Sequence, residues 1–277
     1  MAAGILQEMT MDDVREFHPE VVVLGVASTE PHGPILPYGT DYFECDALVR
    51  RAVTLANERG GRVLMYPTLP IGNNVNFKVF PFACRVRVRT LMHMLLDIIE
   101  AVEEDGIRKV VLVNGHGGNT DTIQAVLREH FDRTPRGSRA FACMTWGPPS
   151  REAAAMIQHP SDHGGEDETS RIMYVRPDLV RKEKLQELPI GRPILKAAAE
   201  GKVHYVRPWH AYVPKGGGGE TRTASAQKGK AIIESGAEGL AEVLVELSQA
   251  PWNPDFPFPQ SEETSSPRTK GPKSGRK

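Results

Sequence analysis

Short apolar runs rich in β-branched residues alternate along the chain with segments whose apolar positions recur every three to four residues. The runs at 21–26, 63–66, 109–113 and 139–145 predict buried strands. The periodic segments predict helices over 43–59, 90–104, 120–131 and 227–247, with shorter ones at 151–158 and from about 163 to 174. Strands that alternate with helices favour an α/β fold whose mostly parallel sheet is covered on both faces.

The ends of the pattern set the predicted domain organisation. Residues 1–250 are predicted to form one domain, because strand and helix patterns continue to the last long helix. From Pro251 the chain turns to Pro, Ser, Thr, Lys and Arg with few apolar residues, so 251–277 is predicted to be a disordered tail. The glycine run at 215–220 is predicted to be a mobile loop.

Composition and charge narrow the class of protein. The 34 basic and 35 acidic residues leave a net charge of −1, which gives no electrostatic reason to expect nucleic acid or a membrane surface as partner. No apolar run is long enough for a transmembrane helix, and the N-terminus does not resemble a secretory signal. Three widely spaced cysteines favour a reducing compartment, so we expect a soluble, cytoplasmic protein.

The third predicted strand carries the most informative motif. Residues 110–119 read Val-Val-Leu-Val-Asn-Gly-His-Gly-Gly-Asn, a strand that ends in a glycine-rich turn around His116. Ligands bind beyond the carboxyl ends of strands in open α/β sheets, and the glycines would let a metal or substrate approach closely. Asn119 is predicted to cap the following helix. A tight turn with an incidental histidine is the alternative, and the motif lacks the P-loop and dinucleotide spacings.

Further potential metal ligands follow the other predicted strands. Glu30 and His32 lie two residues apart in an extended segment, so their side chains point to the same side, and Asp41 could fold back to them. His163, Glu166 and Glu168 stand at a predicted helix start. Mixed imidazole and carboxylate ligands suit zinc, manganese or iron(II), and this number suffices for a two-metal site. The alternative is solvated loop carboxylates and histidines whose hydrogen bonds are satisfied internally.

Three blocks of this sequence resemble the signature blocks of the creatininase (creatinine amidohydrolase) superfamily. They are residues 28–41 (Ser-Thr-Glu-Pro-His-Gly-Pro-Ile-Leu-Pro-Tyr-Gly-Thr-Asp), 114–119 (Asn-Gly-His-Gly-Gly-Asn) and 163–170 (His-Gly-Gly-Glu-Asp-Glu-Thr-Ser), and 219–229 is similar to a fourth block. The resemblance covers about residues 20–248. It implies a three-layer α/β/α fold, a homohexamer and a centre of two divalent metal ions.

The resemblance also implies roles for individual residues. Glu30, His32, Asp41 and His116 fall on metal ligands, with Asp41 bridging the two ions. Creatininase has a glutamate ligand where this chain has Gly118, so the chain resembles the Gly-His-Gly-Gly-Asn members, and Glu168 is assigned as the fifth ligand. His163 falls on a catalytic histidine that handles protons or contacts substrate; a purely structural histidine is the alternative.

Two departures from the family concern the substrate pocket. The chain has Phe-Pro-Phe-Ala at 80–83 where Phe-Pro-Gly-Thr is common, and Asn-Asn-Val-Asn-Phe-Lys at 73–78 where a Ser or Glu-His pair is common. Both argue against creatinine as substrate. Asn74, Asn76 and Lys78 suggest a polar, hydroxylated or anionic small molecule, with Trp146 as a further candidate contact; a polar surface loop is the equal alternative.

The expected activity is therefore metal-assisted hydrolysis of a non-peptide C–N bond, often cyclic, in a small molecule. Hydrolysis of a C–C bond or lactone in an oxidised sugar or cyclitol is an alternative on the same scaffold. A protein that uses the metal only to hold a ligand, without catalysis, is the alternative from another class.

Overall fold

The structure is a computed structural model that describes residues 4–260. Its helices and strands, in chain order, are α1 (Met11–Phe17), β1 (Val21–Val26), α2 (Thr40–Glu58), β2 (Val63–Leu69), α3 (Val88–Glu104), β3 (Lys109–Asn114), α4 (Thr120–Arg133), β4 (Phe141–Thr145), α5 (Arg151–Ala154), α6 (Glu166–Val175), β5 (Glu187–Leu188), α7 (Lys196–Ala199), α8 (Trp209–Tyr212), β6 (Gly219–Glu220) and α9 (Ala226–Gln249). The predicted strands and long helices are present.

Four parallel strands form the central sheet in the order β2-β1-β3-β4. Val23 pairs with Met65 on one side and with Val111 on the other, which makes β1 and β3 the central strands. All six residues of each of these two strands are buried, as continuous apolar runs in parallel sheets require. The carboxyl ends of β1 and β3 consequently meet at one edge, beside each other.

Side chains alternate between the two faces of the sheet and build a separate core on each. Val23 and Val111 pack with residues of α2 and α9, whereas Val22 and Leu112 pack with residues of α3 and α4. Each face therefore buries its apolar stripe under a pair of helices. The predicted three-layer α/β/α fold is confirmed.

The glycine-rich segment predicted to be mobile is instead part of the folded structure. Gly216, Gly217 and Gly218 are buried, and β6, which follows them, pairs antiparallel with β5. A Cβ on Gly217 would lie 3.3 Å from the backbone of His32, so only a residue without a side chain fits this contact easily. The absence of side chains permits close packing here rather than mobility.

Helix boundaries differ from the prediction where they affect the site. Helix α2 begins at Thr40, three residues earlier than predicted, which puts Asp41 in its first turn. Asn119 immediately precedes α4 but makes no capping hydrogen bond. Its side-chain amide instead donates to the carbonyl oxygens of Val26 and Ala27 and accepts from the backbone N–H of Asn73. These bonds connect the end of β1 and the loop at Asn73 to the turn that carries His116.

The segment after α9 follows the body of the fold in its described part. The ring of Phe256 packs edge-on against Phe141 of β4 at 5.0 Å, and Arg136 donates to the carboxylate of Asp255. These contacts hold Asp255 and Phe256 against the body of the fold, although the sequence suggested a disordered tail there. Residues 261–277 of that tail lie outside the described residues. Between residues 4 and 260, no helix combines the length and apolar character that a membrane crossing needs.

Candidate metal centre

Five side chains from separate segments converge at the carboxyl edge of the sheet. Glu30 and His32 follow β1, His116 follows β3, Asp41 lies in the first turn of α2 and Glu168 in the first turn of α6. Four of them are at most 9% exposed, and the side chain of Glu168 is 19% exposed. The structure thus brings together all five residues that the sequence analysis predicted as metal ligands.

Their ligand atoms form two overlapping groups that share Asp41. Glu30, Asp41 and His116 make one group, and His32, Asp41 and Glu168 make the other, with all ligand atoms of a group within 4.8 Å of one another. The two carboxylate oxygens of Asp41 are divided between them: Oδ1 lies 2.9 Å from Nε2 of His32, and Oδ2 lies 2.9 Å from Nδ1 of His116. Asp41 is therefore placed to bridge two centres.

The histidines of the cluster share one hydrogen-bonding pattern. His32 Nδ1 lies 3.0 Å from the carbonyl oxygen of Glu30, and His116 Nε2 lies 3.1 Å from that of Asn73. A carbonyl only accepts, so each of these nitrogens carries the proton. The other ring nitrogen of each histidine then faces the cluster with its lone pair when the ring is neutral. Metal-bound histidines are held in this way by backbone carbonyls.

Several buried ligand atoms are not satisfied by hydrogen bonds. Within residues 4–260, Glu30 Oε1 has no hydrogen-bond partner, and His32 Nε2 and Asp41 Oδ2 each lie 2.9 Å from a polar atom of the cluster without forming a well-aligned hydrogen bond. Buried polar atoms are nearly always satisfied, and an unsatisfied group implies an ion or water. The donor set and these atoms together fit divalent transition metals.

The electrostatics of the cluster are strongly perturbed. Burial raises the pKa of Glu30 to about 7. Burial opposes the charged form of His32 and His116, but the surrounding carboxylates outweigh it and raise their pKa values to about 10 and about 9. Burial also works against the charge of Asp41, yet the two histidines hold its pKa well below the usual range. Buried carboxylates here demand compensating positive charge, which protons or cations can supply.

A second layer of polar contacts orients the carboxylates. The Ser28 hydroxyl donates to Glu30 Oε2 at 3.0 Å, and the Asn74 amide donates to that hydroxyl at 2.9 Å. The backbone N–H of Gly164 donates to Glu168 Oε2 at 2.5 Å. These bonds restrict the rotamers of both glutamates, as positioned metal ligands require.

Gly118 leaves no space for a side chain. A Cβ at this position would lie 2.1 Å from the carbonyl oxygen of Asn73 and 2.5 Å from Nε2 of His116. The hydrogen bond between Asn73 and His116 occupies that volume. A fifth ligand therefore cannot come from position 118, and Glu168, from another segment, lies in the cluster.

His163 lies beside the cluster with its ring enclosed. Its Nε2 donates to the carbonyl oxygen of Pro31 at 2.7 Å, and its Nδ1 lies 3.8 Å from Glu30 Oε1. Phe77 and Trp209 pack on the ring at 4.9 and 4.8 Å. Burial, aided by the charges of His32 and His116, lowers the pKa of His163 well below its ordinary value. Its Nδ1 lone pair consequently faces the cluster.

The four residues predicted to bind substrate are placed differently from one another. A cleft of about 840 Å³ opens onto the cluster and is lined by Asn74 and Asn76. Lys78 is exposed and is not among the described residues that line it. Trp146 lines a neighbouring pocket of about 260 Å³ that shares Glu168 with the cleft. The Asn74 side chain is buried and its amide group holds Ser28, so it also has a structural role.

Sequence reasoning missed the polar and aromatic surroundings of the site. Arg171, one turn after Glu168, bridges Asp167 at 2.8 Å and the buried Glu44 at 3.2 Å. Its spacing from Asp167 on one helix face was a usable signal, whereas Glu44 lies on another helix. Trp209 stands in a segment without clear periodicity, and nothing in its local sequence indicated contact with His163.

The chain is similar to known proteins over most of its length. The family model described as "Creatininase: Creatinine amidohydrolase" matches residues 7–244. The chain is 27% identical to creatinine amidohydrolase of Pseudomonas putida, over 82% of this chain and 89% of that one. It is 25% identical to the mycofactocin precursor peptide peptidase of Mycolicibacterium smegmatis (87% and 90%) and to the 3-dehydro-scyllo-inosose hydrolase of Thermotoga maritima (87% and 81%).

Solved structures agree with the family model. A protein of Bacteroides fragilis provisionally described as a creatinine amidohydrolase superposes with a TM-score of 0.78 at 27% identity, over 91% of this chain and all of that one. A creatininase structure with Mn superposes with a TM-score of 0.71 at 23% identity, over 89% of this chain and 99% of that one. A creatininase structure of the Zn–Zn type superposes with a TM-score of 0.71 at 22% identity, over 90% of this chain and all of that one. At these identities, the two structures show the shared fold. The chain belongs to the creatininase family.

Proposed function

We propose that this protein is a metal-dependent hydrolase that cleaves a non-peptide C–N bond, often cyclic, of a small molecule. The observation that carries the proposal is the pair of ligand groups that share Asp41, with each imidazole held by a backbone carbonyl. The family relatives named above, which act on amide, peptide or cyclitol substrates, support hydrolysis as the reaction class.

Two divalent ions, zinc, manganese or iron, would occupy the cluster. Glu30, His116 and Asp41 would hold one of them, and His32, Glu168 and Asp41 the other. When bound, such ions polarise a carbonyl group and lower the pKa of a coordinated water toward ~7.

His163 is proposed to be the proton carrier of the reaction. Its proton is fixed on Nε2 by the Pro31 carbonyl, so Nδ1 is free to accept a proton at the cluster side. The same nitrogen then donates that proton to the leaving nitrogen. Phe77 and Trp209 shield the ring from solvent and keep it neutral before reaction.

Replacement of His163 tests this role. His163 forms a third metal-capable group with Glu30 and His32 but belongs to neither group that shares Asp41. His163→Ala is therefore expected to leave the metal content unchanged, because the proposed five ligands remain, and to lower kcat by about 10²- to 10⁴-fold. Turnover equal to that of the wild type would remove His163 from the mechanism. A metal-bound wild-type protein without turnover on any substrate of the panel below would favour the non-catalytic, ligand-holding alternative.

A second candidate function comes from the Thermotoga maritima relative, an inosose hydrolase. A C–C bond or lactone of an oxidised sugar or cyclitol would then be cleaved at the same cluster. Metal-reconstituted protein assayed on a panel of cyclic amides and keto-inositols separates the two reactions. We expect product from the amides; product from the keto-inositols alone would contradict the C–N proposal.

The proposal extends to the assembly and the domain boundary. Residues 1–250 are proposed to form the hydrolase domain, and the family resemblance implies a homohexamer. The cytoplasm is proposed as its location because the three widely spaced cysteines favour a reducing compartment. Sedimentation velocity of the purified full chain measures the assembly directly.

A further inference from the structure

The cleft is much larger than the metal cluster at its base. Its volume of about 840 Å³ lies in the range of pockets that enclose whole drug-sized ligands. The segment 193–212 forms one wall and carries nearly half of the described lining residues beyond the cluster. Val75 and Val88 lie on other parts of the lining. A substrate of one small ring would leave most of this volume unused.

Aromatic rings lead outward from His163 along this wall. Trp209 stands edge-on to His163 at 4.8 Å and packs on Phe77 at 4.8 Å, and Tyr212 continues the row at 5.7 Å from Trp209. All of these residues line the cleft. Aromatic faces in a pocket wall bind flat or aliphatic groups through apolar contact.

Part of the outer cleft is apolar although it is open to solvent and lies near the exposed side chains of Asp121 and His204. Four valines that line it, Val75, Val88, Val203 and Val206, are 43 to 67% exposed. Apolar side chains concentrated in a concave surface are a common feature of ligand sites.

Charge in the cleft does not favour an anionic ligand. Arg207 is the only lysine or arginine among the described lining residues, and its guanidinium donates to Asp162 at 2.7 Å. The Tyr212 hydroxyl donates to the same carboxylate at 2.9 Å, and the guanidinium lies over the Tyr212 ring at 4.2 Å. The cation is thus already paired, and Asp121 adds a further negative charge at the rim.

We propose that the substrate is an amide that carries an uncharged aromatic or aliphatic arm. The reacting carbonyl lies at the cluster, and the arm extends along Trp209 and Tyr212 toward Val206. This inference rests on the proposed function for the position of the reacting group. It differs from the expectation of a polar, hydroxylated or anionic ligand, which rested on Asn74, Asn76 and Lys78, because only the two asparagines line the cleft.

A series of hydroxamates tests the arm separately from the reaction, because the hydroxamate group binds a metal ion without being hydrolysed. The probes are acetohydroxamate, 3-phenylpropionohydroxamate and the anionic succinic monohydroxamate, titrated calorimetrically into zinc-loaded protein. We expect the phenyl probe to bind at least tenfold more tightly than the other two. Equal affinities, or tightest binding of the anionic probe, would overturn the proposed arm while leaving the metal centre intact.

A matched pair of variants locates the arm. Val206→Asp puts a charge on the cleft wall and should weaken the phenyl probe at least fivefold without affecting acetohydroxamate. Ile194→Asp changes a fully exposed residue of the same segment that is not among the cleft-lining residues, and should affect neither probe. The arm assignment fails if Val206→Asp has no effect. If no hydroxamate binds to zinc-loaded wild type, the proposed metal centre fails and the inference fails with it.

Discussion

The Nε2 atom of His116 lies 3.1 Å from the Asn73 carbonyl oxygen and 3.3 Å from Glu30 Oε2, and its Nδ1 lies 2.9 Å from the Asp41 carboxylate. Gly118 makes this arrangement possible because a side chain there would occupy the space between Asn73 and the ring. At the scale of single residues, Gly118 has no room for a side chain, so it cannot supply a ligand. The last carboxylate of the cluster, Glu168, lies on a different segment.

Gly118→Ala is expected to displace His116 and to lower metal affinity at least tenfold, and Gly118→Glu should do the same rather than restore a creatininase-type ligand. The reason is the 2.1 Å approach of a Cβ to backbone oxygen, which the main chain must move to relieve. Competition with a fluorescent zinc chelator measures the affinity. Gly117→Ala is the matched control, since no described atom lies within 4 Å of a Cβ there, and it should keep wild-type affinity. Unchanged zinc affinity in Gly118→Ala would show that the ring does not need this space.

Side-chain ligands could be predicted at this scale, but their backbone partners could not. Glu30 and His32 were paired from their spacing in an extended segment, and the structure brings both into the cluster. The carbonyl of Asn73 could not be predicted, because every residue has a carbonyl group and only the tertiary fold shows which one faces His116. Lys78 shows the opposite error, since its charge suggested a role that its position outside the cleft does not support.

At the scale of elements, helix α6 carries Glu168 and is tied to α9 by one buried ion pair. Glu166 is fully buried; it receives the Lys228 ammonium and two backbone N–H groups, those of Gln158 and His159 at 3.0 and 2.7 Å. Lys228 also donates to the carbonyl oxygen of Thr223 at 2.8 Å. The pair thus joins the His163 loop, α6 and the start of α9.

Lys228→Met is expected to destabilise the protein by about 3 kcal/mol, because it leaves a buried carboxylate without its cation. Urea unfolding measures the loss, and the double variant with Glu166→Gln should recover part of it.

Burial opposes the charge of Glu166, but Lys228 and the N–H groups outweigh it and lower its pKa below 4.5. The Glu166–Lys228 pair therefore stabilises the fold fully above pH 4.5, and this stabilisation is lost as the pH falls through the lowered pKa of Glu166. Equal stability of Lys228→Met and wild type at pH 7 would contradict this role.

The elements themselves were largely predictable, for identifiable reasons. Buried parallel strands such as β3 are continuous apolar runs, and amphipathic helices such as α3 have a clear apolar face, so both kinds appear in local sequence. The segment 215–220 was wrongly predicted to be mobile, because glycine permits both flexibility and close packing. Its contact with His32 and Gly33 is long-range, and no local pattern distinguishes the two outcomes.

At the scale of the whole molecule, the cluster couples metal binding to pH. His32 and His116 have pKa values raised to about 10 and about 9, so both hold two protons at pH 7 before a metal binds. Each must present a lone pair to an ion, and Glu30, whose pKa is raised to about 7, must also lose the proton that it partly holds. Binding should therefore release at least about two protons per chain at pH 7. Apparent metal affinity should accordingly rise with pH across the range below these pKa values.

Calorimetric zinc titrations in two non-coordinating buffers with different ionisation enthalpies give the number of protons released. His116→Gln should reduce that number by about one. Release of no protons at pH 7 would mean that the histidines are neutral before binding, or that they do not bind the ion.

The central claim is that Asp41 joins two metal sites, and metal stoichiometry tests it most directly. Mass spectrometric metal analysis after zinc reconstitution and dialysis should give two equivalents per wild-type chain and less than one for Asp41→Asn, which changes a carboxylate shared by both groups. Asp121→Asn, a change at the rim of the same cleft, should keep two equivalents. One equivalent or fewer in the wild type, or two equivalents in Asp41→Asn, would contradict the account.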